Sequence, residues 1–368
     1  MKLVYVVGAR PNFVKMAPVV HELRKRLPDA QHVIAHTGQH YDREMSQIFV
    51  NELDLPEPDH FLAVGSGGHG LQTGRALERL ENVFERERPD AVLVGGDVNS
   101  TLAGALAAAK LEIPVGHVES GLRSFDRSMP EEINRVLVDQ ISRWCFTHSP
   151  EAEENLRNEG VASDRIHFVG NTMIDTLVRL RPRIEASDVL DRLSLEPHGY
   201  ALVTLHRPNL VDEPEFETVL AELEGLATSL PIVFPVHPRT RKRLSRPAGA
   251  IRLLDPVGYV EFLALELNAA FVITDSGGVQ EETTFLRVPC FTLRDTTERP
   301  VTIDHGTNRL LGRAPSSLAD VPALAASTPL PLAAPALWEG RAASRLADVL
   351  VTSLAEGRAA PSAASAAP

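Results

Sequence analysis

The chain has little cysteine and no long apolar run. Its 368 residues include two cysteines, Cys145 and Cys290, which are too few and too far apart for a disulfide framework or a cysteine zinc site. This cysteine usage fits a reducing compartment. No apolar stretch approaches the roughly 20 residues that a membrane-spanning helix needs. The sequence therefore predicts a cytoplasmic protein without a membrane segment.

Basic residues are also in short supply. The chain has 37 lysines and arginines against 49 aspartates and glutamates, which gives a formal net charge of −12. A protein whose main partner is nucleic acid usually carries the opposite excess, because it must attract a polyanion. The charge balance disfavours a nucleic-acid partner and leaves room for local basic sites.

Short apolar runs alternate with amphipathic helical stretches along almost the whole chain. This alternation is typical of βαβ units and parallel sheets. The polar stretch 181–199, which contains Pro182 and Pro197, interrupts the pattern and indicates a domain boundary. We predict an α/β protein with two Rossmann-like doubly wound domains, residues 1–180 and 181–355, followed by a disordered tail, 356–368. The predicted strands are 3–7, 32–35, 91–94, 114–118, 144–147, 166–169, 201–205, 232–236, 251–254, 270–274 and 290–293.

Carboxylates follow two strands of the predicted N-terminal domain. Asp97 and Glu119 are 22 residues apart in the sequence, the length of one helix-and-strand step, so a right-handed crossover places both at the same edge of the sheet. Glu131 and Glu132 follow Pro130 at a predicted helix start, where simple first-turn charge is the alternative to a functional role. The sequence predicts a site with at least two carboxylates.

Two segments have the character of phosphate-binding loops. Arg10 and Lys15 follow the first strand at a helix start, although solvated cations on a proline-started helix are the alternative. In the second domain, segment 276–278 exposes backbone N–H groups at a helix start, and Glu282, one turn later, can accept hydrogen bonds from ribose hydroxyls.

Three further side chains of the second domain are candidates. His206 ends a predicted strand, a position that favours a site over the core. Arg299 adds a guanidinium group in the loop 294–300. Phe262 can stack on a base, with a core role as the alternative.

The glycine-rich stretch 65–70 does not follow the first strand and is predicted to be a loop. His36 and His40 lack a helical face, so no metal site is predicted.

Eight short segments of the chain together resemble the non-hydrolysing UDP-N-acetylglucosamine 2-epimerase family. They are GARP at 8–11, KMAP at 15–18, GD at 96–97, GHVESGLR at 116–123, PEEINR at 130–135, GNT at 170–172, DSGGVQEE at 275–282 and RDTTERP at 294–300. The resemblance covers residues 1–312 and implies a glycosyltransferase B type fold, with two Rossmann-like domains facing a cleft that holds the nucleotide sugar. It also implies a homodimer.

The activity implied is interconversion of UDP-GlcNAc and UDP-ManNAc, by elimination of UDP to 2-acetamidoglucal and its return. No nicotinamide, metal or other cofactor is implied. By this resemblance the catalytic groups are Asp97, Glu119, Glu131 and His206, and the UDP contacts are Arg10, Phe262, Ser276, Gly277, Gly278, Glu282 and Arg299. To the binding groups we add Lys15 from its position after the first strand.

Some positions depart from the family pattern. Asn12 stands where many members have glutamate, and Pro208-Asn209 follows His206-Arg207 in place of a frequent Arg-Glu. Asp42 stands where bacterial members use a glutamine to bind an activating second UDP-GlcNAc, so we predict turnover without that activator.

Alternative activities stay open from the sequence. They are a hydrolysing 2-epimerase, a 2-epimerase for another UDP-2-acetamido sugar such as a 2,3-diacetamido uronic acid, a glycosyltransferase and, least favoured, a non-catalytic sensor of nucleotide sugars.

Overall fold

The computed structural model describes residues 1–38, 50–244, 250–313 and 318–359, without the side chains of Arg10 and residues 357–359. These residues form two compact units. The N-terminal unit contains residues 1–122 and 126–176 together with the last helix of the chain, and the C-terminal unit contains residues 123–125 and 177–338. Gln39–Asp42 and the activation hypothesis that depends on them lie outside the described residues.

The N-terminal unit is built on a seven-stranded parallel sheet with the order β3-β2-β1-β4-β5-β6-β7. Its strands are β1 (Lys2–Val7), β2 (Gln31–His36), β3 (His60–Phe61), β4 (Ala91–Gly95), β5 (Val115–Ser120), β6 (Trp144–Thr147) and β7 (Ile166–Phe168). The helices between and after them are α1 (Arg10–Arg26), α2 (His69–Glu87), α3 (Asn99–Lys110), α4 (Pro130–Ile141), α5 (Pro150–Asn158) and α6 (Thr172–Glu185).

The central strands of this sheet are buried on both faces, which is why their sequences are runs of valine, leucine and alanine. The small side chains of α3 let that helix approach the sheet closely: a Cβ atom at Gly104 would lie 3.2 Å from the side chains of Val6 and Val94. The predicted loop 65–70 is shorter than expected, because α2 begins at His69 with Gly68 as its N-cap. His36 packs between Phe13 and Phe61, and burial lowers its pKa to about 4.

The C-terminal unit has a six-stranded parallel sheet with the order β10-β9-β8-β11-β12-β13. Its strands are β8 (Ala201–Thr204), β9 (Ile232–Pro235), β10 (Ile251–Leu254), β11 (Phe271–Thr274), β12 (Cys290–Thr292) and β13 (Asn308–Leu310). Its helices are α7 (Val189–Arg192), α8 (Pro208–Val211), α9 (Glu215–Leu226), α10 (Pro238–Arg241), α11 (Tyr259–Leu267), α12 (Gly277–Leu286), α13 (Val301–Asp304) and α14 (Val321–Ser327).

The last helix, α15 (Ala342–Ala359), returns to the N-terminal unit and packs against α1. Asp175 of α6 accepts hydrogen bonds from the backbone N–H groups of Ala342 and Ala343, at 3.0 and 2.7 Å.

The position of this last helix differs from the predicted second domain 181–355, because residues 339–355 group with the first sheet. It also differs from a tail beginning at 356, since the helix continues to Ala359. The parallel α/β class and the two Rossmann-like domains are confirmed.

In the part of the chain that the structure describes, no helix has both the length and the apolar character needed to span a membrane.

Candidate active site

The N-terminal unit places the turns that carry Asp97 and Glu119 side by side. Strands β4 and β5 are neighbours in the sheet, and the N–H of Gly96 donates to the carbonyl of Val118 at 3.0 Å. A Cβ atom built on Gly96 would lie 3.0 Å from Lys15 Nζ and 3.6 Å from Glu119 Oε2. Lys15 and Glu119 thus lie beside the residue that precedes Asp97.

Glu119 adopts a backbone conformation that is rare for a residue with a side chain. Its φ angle is +70°, and the pairing of β5 with β6 shifts register between Val118 and Ser120. Such left-handed bulges cost free energy and concentrate at functional sites, where they turn a side chain in a new direction. Here the carboxylate is buried and forms an ion pair with Lys15 Nζ.

Asp97 belongs to a second ion-paired group. Its carboxylate contacts the guanidinium of Arg135, which also binds Glu132 through Nε at 3.0 Å and through Nη2 at 2.7 Å. Asn134 donates to the Asp97 carbonyl at 2.8 Å. Glu131 is the second residue of the same helix and is half-buried. Side chains from one turn of α4 therefore hold Asp97 and present Glu131.

The turn between β1 and α1 is held by Asn12. Its Oδ1 accepts from the N–H groups of Gly8 and Ala9, at 3.2 and 3.1 Å, and its Nδ2 donates to the carbonyl of Gly95 at 2.6 Å. Asn12, which departs from the family pattern, is therefore a structural link between β1 and β4. Arg10 begins α1, and its side chain lies outside the described residues.

In the C-terminal unit, His206 is oriented by a buried carboxylate that follows β11. His206 Nδ1 lies 3.1 Å from Asp275 Oδ1, and Asp275 Oδ2 accepts from the backbone N–H groups of His206 and Arg207, both at 2.8 Å. Burial raises the pKa of Asp275, but the charge of His206 and these hydrogen bonds outweigh it and leave the pKa lowered. An ionised Asp275 keeps the proton of His206 on Nδ1, so Nε2 is the atom available for proton transfer.

Arginines gather at the start of α12. The guanidinium of Arg299 packs on Gly277, at a place where a Cβ atom would collide with it, and it contacts Glu281 at 3.0 Å and Glu298. Arg294 binds Glu298 at 2.6 Å. Ser276 is the N-cap of this helix and Gly278 its second residue. Backbone N–H groups and guanidinium groups together provide an anion-binding environment.

Glu282 lies one turn further along α12 and is buried. It accepts a hydrogen bond from the hydroxyl of Tyr259 at 2.7 Å. Burial raises the pKa of the neighbouring Glu266 well above its ordinary value, and the charge of Glu282 adds to the shift. Phe262, on the same helix as Tyr259, is 8% exposed and packs mainly in the core.

The sequence prediction missed three residues that hold these groups. Arg135 and Asp275 lie within motifs of the family resemblance but have no predicted role, and Tyr259 is not among the predicted candidates. The charge of Arg135, three residues after Glu132, was a usable signal because that spacing places both on one helix face. For Asp275 the signal was its position directly after a predicted strand, 270–274.

Comparisons with known proteins agree over most of the chain. A family profile described as UDP-N-acetylglucosamine 2-epimerase matches residues 21–351. A UDP-N-acetylglucosamine 2-epimerase homolog of Methanococcus maripaludis is 48% identical over 323 residues, 85% of this chain and 89% of that protein. A UDP-2,3-diacetamido-2,3-dideoxy-D-glucuronate 2-epimerase of Pseudomonas aeruginosa is 43% identical over 320 residues, 85% and 89% of the two chains.

A solved structure extends the agreement to the fold. The Methanocaldococcus jannaschii UDP-GlcNAc 2-epimerase, in complex with UDP-GlcNAc and UDP, matches with a TM-score of 0.87 at 41% identity, over 96% of this chain and 100% of that one.

The two parallel sheets and this match define a two-domain α/β enzyme with a glycosyltransferase B type fold. The chain belongs to the UDP-N-acetylglucosamine 2-epimerase family and is an isomerase. The predicted family, fold class and enzyme class are confirmed.

Proposed function

We propose that this enzyme interconverts UDP-GlcNAc and UDP-ManNAc in the cytoplasm. The observation that carries the proposal is the match over 96% of the chain to an epimerase bound to UDP-GlcNAc and UDP. The residues at the carboxyl ends of the strands support the proposal, because they supply the proton-transfer and anion-binding groups that this chemistry needs.

The reaction is an elimination followed by an addition. A base removes the proton from C2, the C–H electron pair forms the C1=C2 double bond, and the C1–O bond breaks with its electron pair leaving on UDP. UDP then returns to C1 while an acid delivers a proton to the opposite face of C2. We assign these proton transfers to Asp97, Glu119 and Glu131 of the N-terminal unit and His206 of the C-terminal unit.

The leaving group is a diphosphate, so its departure is favoured by fixed positive charge. Arg299 and the N–H groups at the start of α12 are assigned to the phosphates, with Ser276, Gly277 and Gly278 as the backbone contacts. Glu282 is assigned to the ribose hydroxyls and Phe262 to the uracil. Lys15 and Arg10 complete the proposed set of cations.

Incubation with UDP-GlcNAc in deuterium oxide tests the proposal by NMR. We expect UDP-ManNAc carrying deuterium at C2, without added metal or nicotinamide, and with Glu119→Gln as the inactive control. Retention of hydrogen at C2 would exclude the elimination. Accumulation of free ManNAc and UDP would indicate the hydrolysing reaction, and release of UDP only with an added acceptor would indicate a glycosyltransferase.

A second substrate is favoured by one specific observation, the 43% identity to the Pseudomonas aeruginosa enzyme. That enzyme is named for a UDP-2,3-diacetamido uronic acid. The same NMR assay with this sugar decides between the two, because the preferred substrate is the one with the higher kcat/KM.

We also propose that the enzyme is a homodimer. Three large apolar side chains of α4, Ile133, Leu137 and Ile141, are 42%, 47% and 36% exposed. Their spacing of four residues places them in one stripe. A second copy related by a two-fold axis can cover such a stripe with its own. Glu131 lies in the first turn of this helix, so dimerisation would also steady a proposed catalytic group.

Sedimentation of Leu137→Glu tests the dimer. We expect a monomer with reduced kcat, whereas the control Leu332→Glu, at a side chain that is 99% exposed, should behave as the wild type. A Leu137→Glu protein with the mass of the wild type would contradict the assignment of this surface.

A further inference from the structure

A buried pair of polar side chains lies behind the proposed catalytic carboxylates. His117 is part of β5 and Asp139 is part of α4, and both side chains are fully buried. His117 Nδ1 lies 2.7 Å from Asp139 Oδ1. Neither residue is among the groups assigned above to substrate or proton transfer. A buried polar pair has a cost that apolar residues would avoid, so its position needs an explanation.

Each member of the pair has a second contact, and both contacts go to backbone turns. His117 Nε2 lies 2.8 Å from the carbonyl of Gly96. Asp139 Oδ2 accepts from the N–H of Gly121 at 3.1 Å. A carbonyl oxygen can only accept, so Nε2 is the donor in the first contact.

These two turns are the ones that carry the carboxylates. Gly96, with φ of +66°, precedes Asp97, and Gly121, with φ of +82°, lies two residues after Glu119. The conformation of each turn is one that side-chain-bearing residues rarely adopt. A Cβ atom on Gly121 would collide with the backbone of Ala152, so this turn also has little room to move.

We propose that the His117–Asp139 pair is a positioning device, which fixes the Asp97 turn and the Glu119 turn relative to each other through one rigid link. The inference rests on the proposed function, since it assigns the two turns to one reaction. Displacement of a catalytic group by about 1 Å can lower a rate about 100-fold, so a link of this kind has a measurable effect on turnover.

The donors and acceptors of the pair suggest a conservative replacement. In Asp139→Asn the amide oxygen can still accept from Gly121, the amide N–H₂ can donate to His117 Nδ1, and Nε2 keeps its bond to Gly96. In Asp139→Ala both links are lost. A comparison of the two variants therefore separates the links from the carboxylate charge.

The test measures kcat and KM of both variants in the NMR assay. The concentration of folded enzyme, by which kcat is normalised, is determined from the amount of UDP that the protein binds. For Asp139→Ala we expect kcat lowered at least about 10-fold, with KM within about threefold of the wild type, because most of the groups assigned to UDP lie in the other unit. For Asp139→Asn we expect most of that kcat to be restored. The matched control is Tyr5→Phe, which removes a partly buried hydrogen bond of 2.7 Å to His32 in the same sheet, and should leave kcat unchanged.

Two outcomes would overturn the inference while the proposed function stands. One is an active wild type whose Asp139→Ala variant keeps its kcat, and the other is an Asp139→Asn variant as slow as Asp139→Ala. A wild type that converts neither UDP-sugar would instead contradict the proposed function, and the inference with it.

Discussion

Three of the four side chains assigned to proton transfer are held by an ionisable partner. Lys15 pairs with Glu119, Arg135 with Asp97, and Asp275 with His206. Partners of this kind fix a group before the substrate arrives, so little reorganisation is needed during the reaction. Where both members are buried, as for Lys15 and Glu119, removal of one leaves an uncompensated charge in the interior.

Asp275→Asn tests the orientation of His206. The neutral amide attracts the proton on Nδ1 less strongly than the carboxylate does. The imidazole therefore loses its preference for the tautomer with the proton on Nδ1. We expect kcat to fall about 100-fold while the KM for the UDP-sugar changes little. Steady-state kinetics measures both. Asp212→Asn is the control, because Asp212 is an exposed partner of Arg239, and it should retain the wild-type kcat.

Arg135→Met tests the link between Asp97 and Glu132. It leaves the buried carboxylate of Glu132 without its guanidinium, so we expect a loss of about 3 to 5 kcal/mol in the free energy of unfolding, measured with urea. Arg143→Met removes only an exposed pair, 3.8 Å from Asp164, and should cost less than about 1 kcal/mol. Equal stability of the two variants would show that the Arg135 pair is not structural.

The identities of the catalytic candidates could be predicted from the sequence, because strand ends and family motifs point to them. The contacts of Arg135 with Asp97 and of Asp275 with His206 could not, because packing brings together residues that are far apart in the sequence. The left-handed backbone of Glu119 was also unpredictable, since glycine is the residue that normally marks this conformation.

At the scale of elements, the strongly apolar strands were predicted within one or two residues, as for β6 and β10. Two edge strands, β3 and β13, were not predicted. Asn308–Leu310 has one apolar residue and lies at a sheet edge, so it lacks the pattern of a buried strand. The prediction also ended β5 at residue 118, because Glu119 and Ser120 are polar and belong to the strand only through a bulge.

The hydrogen bonds of Asp175 to the start of α15 make this contact between elements sensitive to pH. Burial raises the pKa of Asp175 to about 6, although both backbone hydrogen bonds and Arg345 lower it. The folded state therefore binds a proton more tightly than the unfolded state. This residue's contribution to stability is largest below pH 3.8, its ordinary pKa, and is lost as the pH rises through about 6.

We expect the free energy of unfolding of the wild type, relative to Asp175→Asn, to fall by about 1 kcal/mol between pH 5 and pH 7.5. Urea unfolding of both proteins at several pH values measures the difference. Asp348→Asn, at an exposed partner of Arg26, provides the control and should show a difference from the wild type that is independent of pH in this range. A constant difference for Asp175→Asn would contradict the buried-carboxyl explanation.

At the scale of the whole molecule, the chain crosses from the first unit to the second and returns. The polar stretch near residue 181 predicted the first crossing, and α6 passes through it as a continuous helix. The return of α15 to the N-terminal unit could not be predicted. Its apolar face indicates that the helix packs on a core, but either unit could provide that core. Packing against α1 and the two hydrogen bonds of Asp175 place the helix on the N-terminal unit.

Truncation after Trp338 tests whether α15 is an integral part of the N-terminal unit. Two leucines of this helix, Leu346 and Leu350, are fully buried, and together they contribute about 3 to 6 kcal/mol. That is a large part of the stability of an ordinary domain. We expect the melting temperature to fall by about 10 °C or more, with faster amide exchange in β1 and α1.

Truncation after Ala359 is the matched control, because it keeps the whole of α15 and should melt as the full chain does. Leu346→Ala should fall between the two, with a loss of about 2 to 5 kcal/mol. If the chain truncated after Trp338 melted at the temperature of the full chain, the N-terminal sheet would be stable without the returning helix. The chain would then consist of two units that are also separate in sequence, as the polar stretch alone suggested.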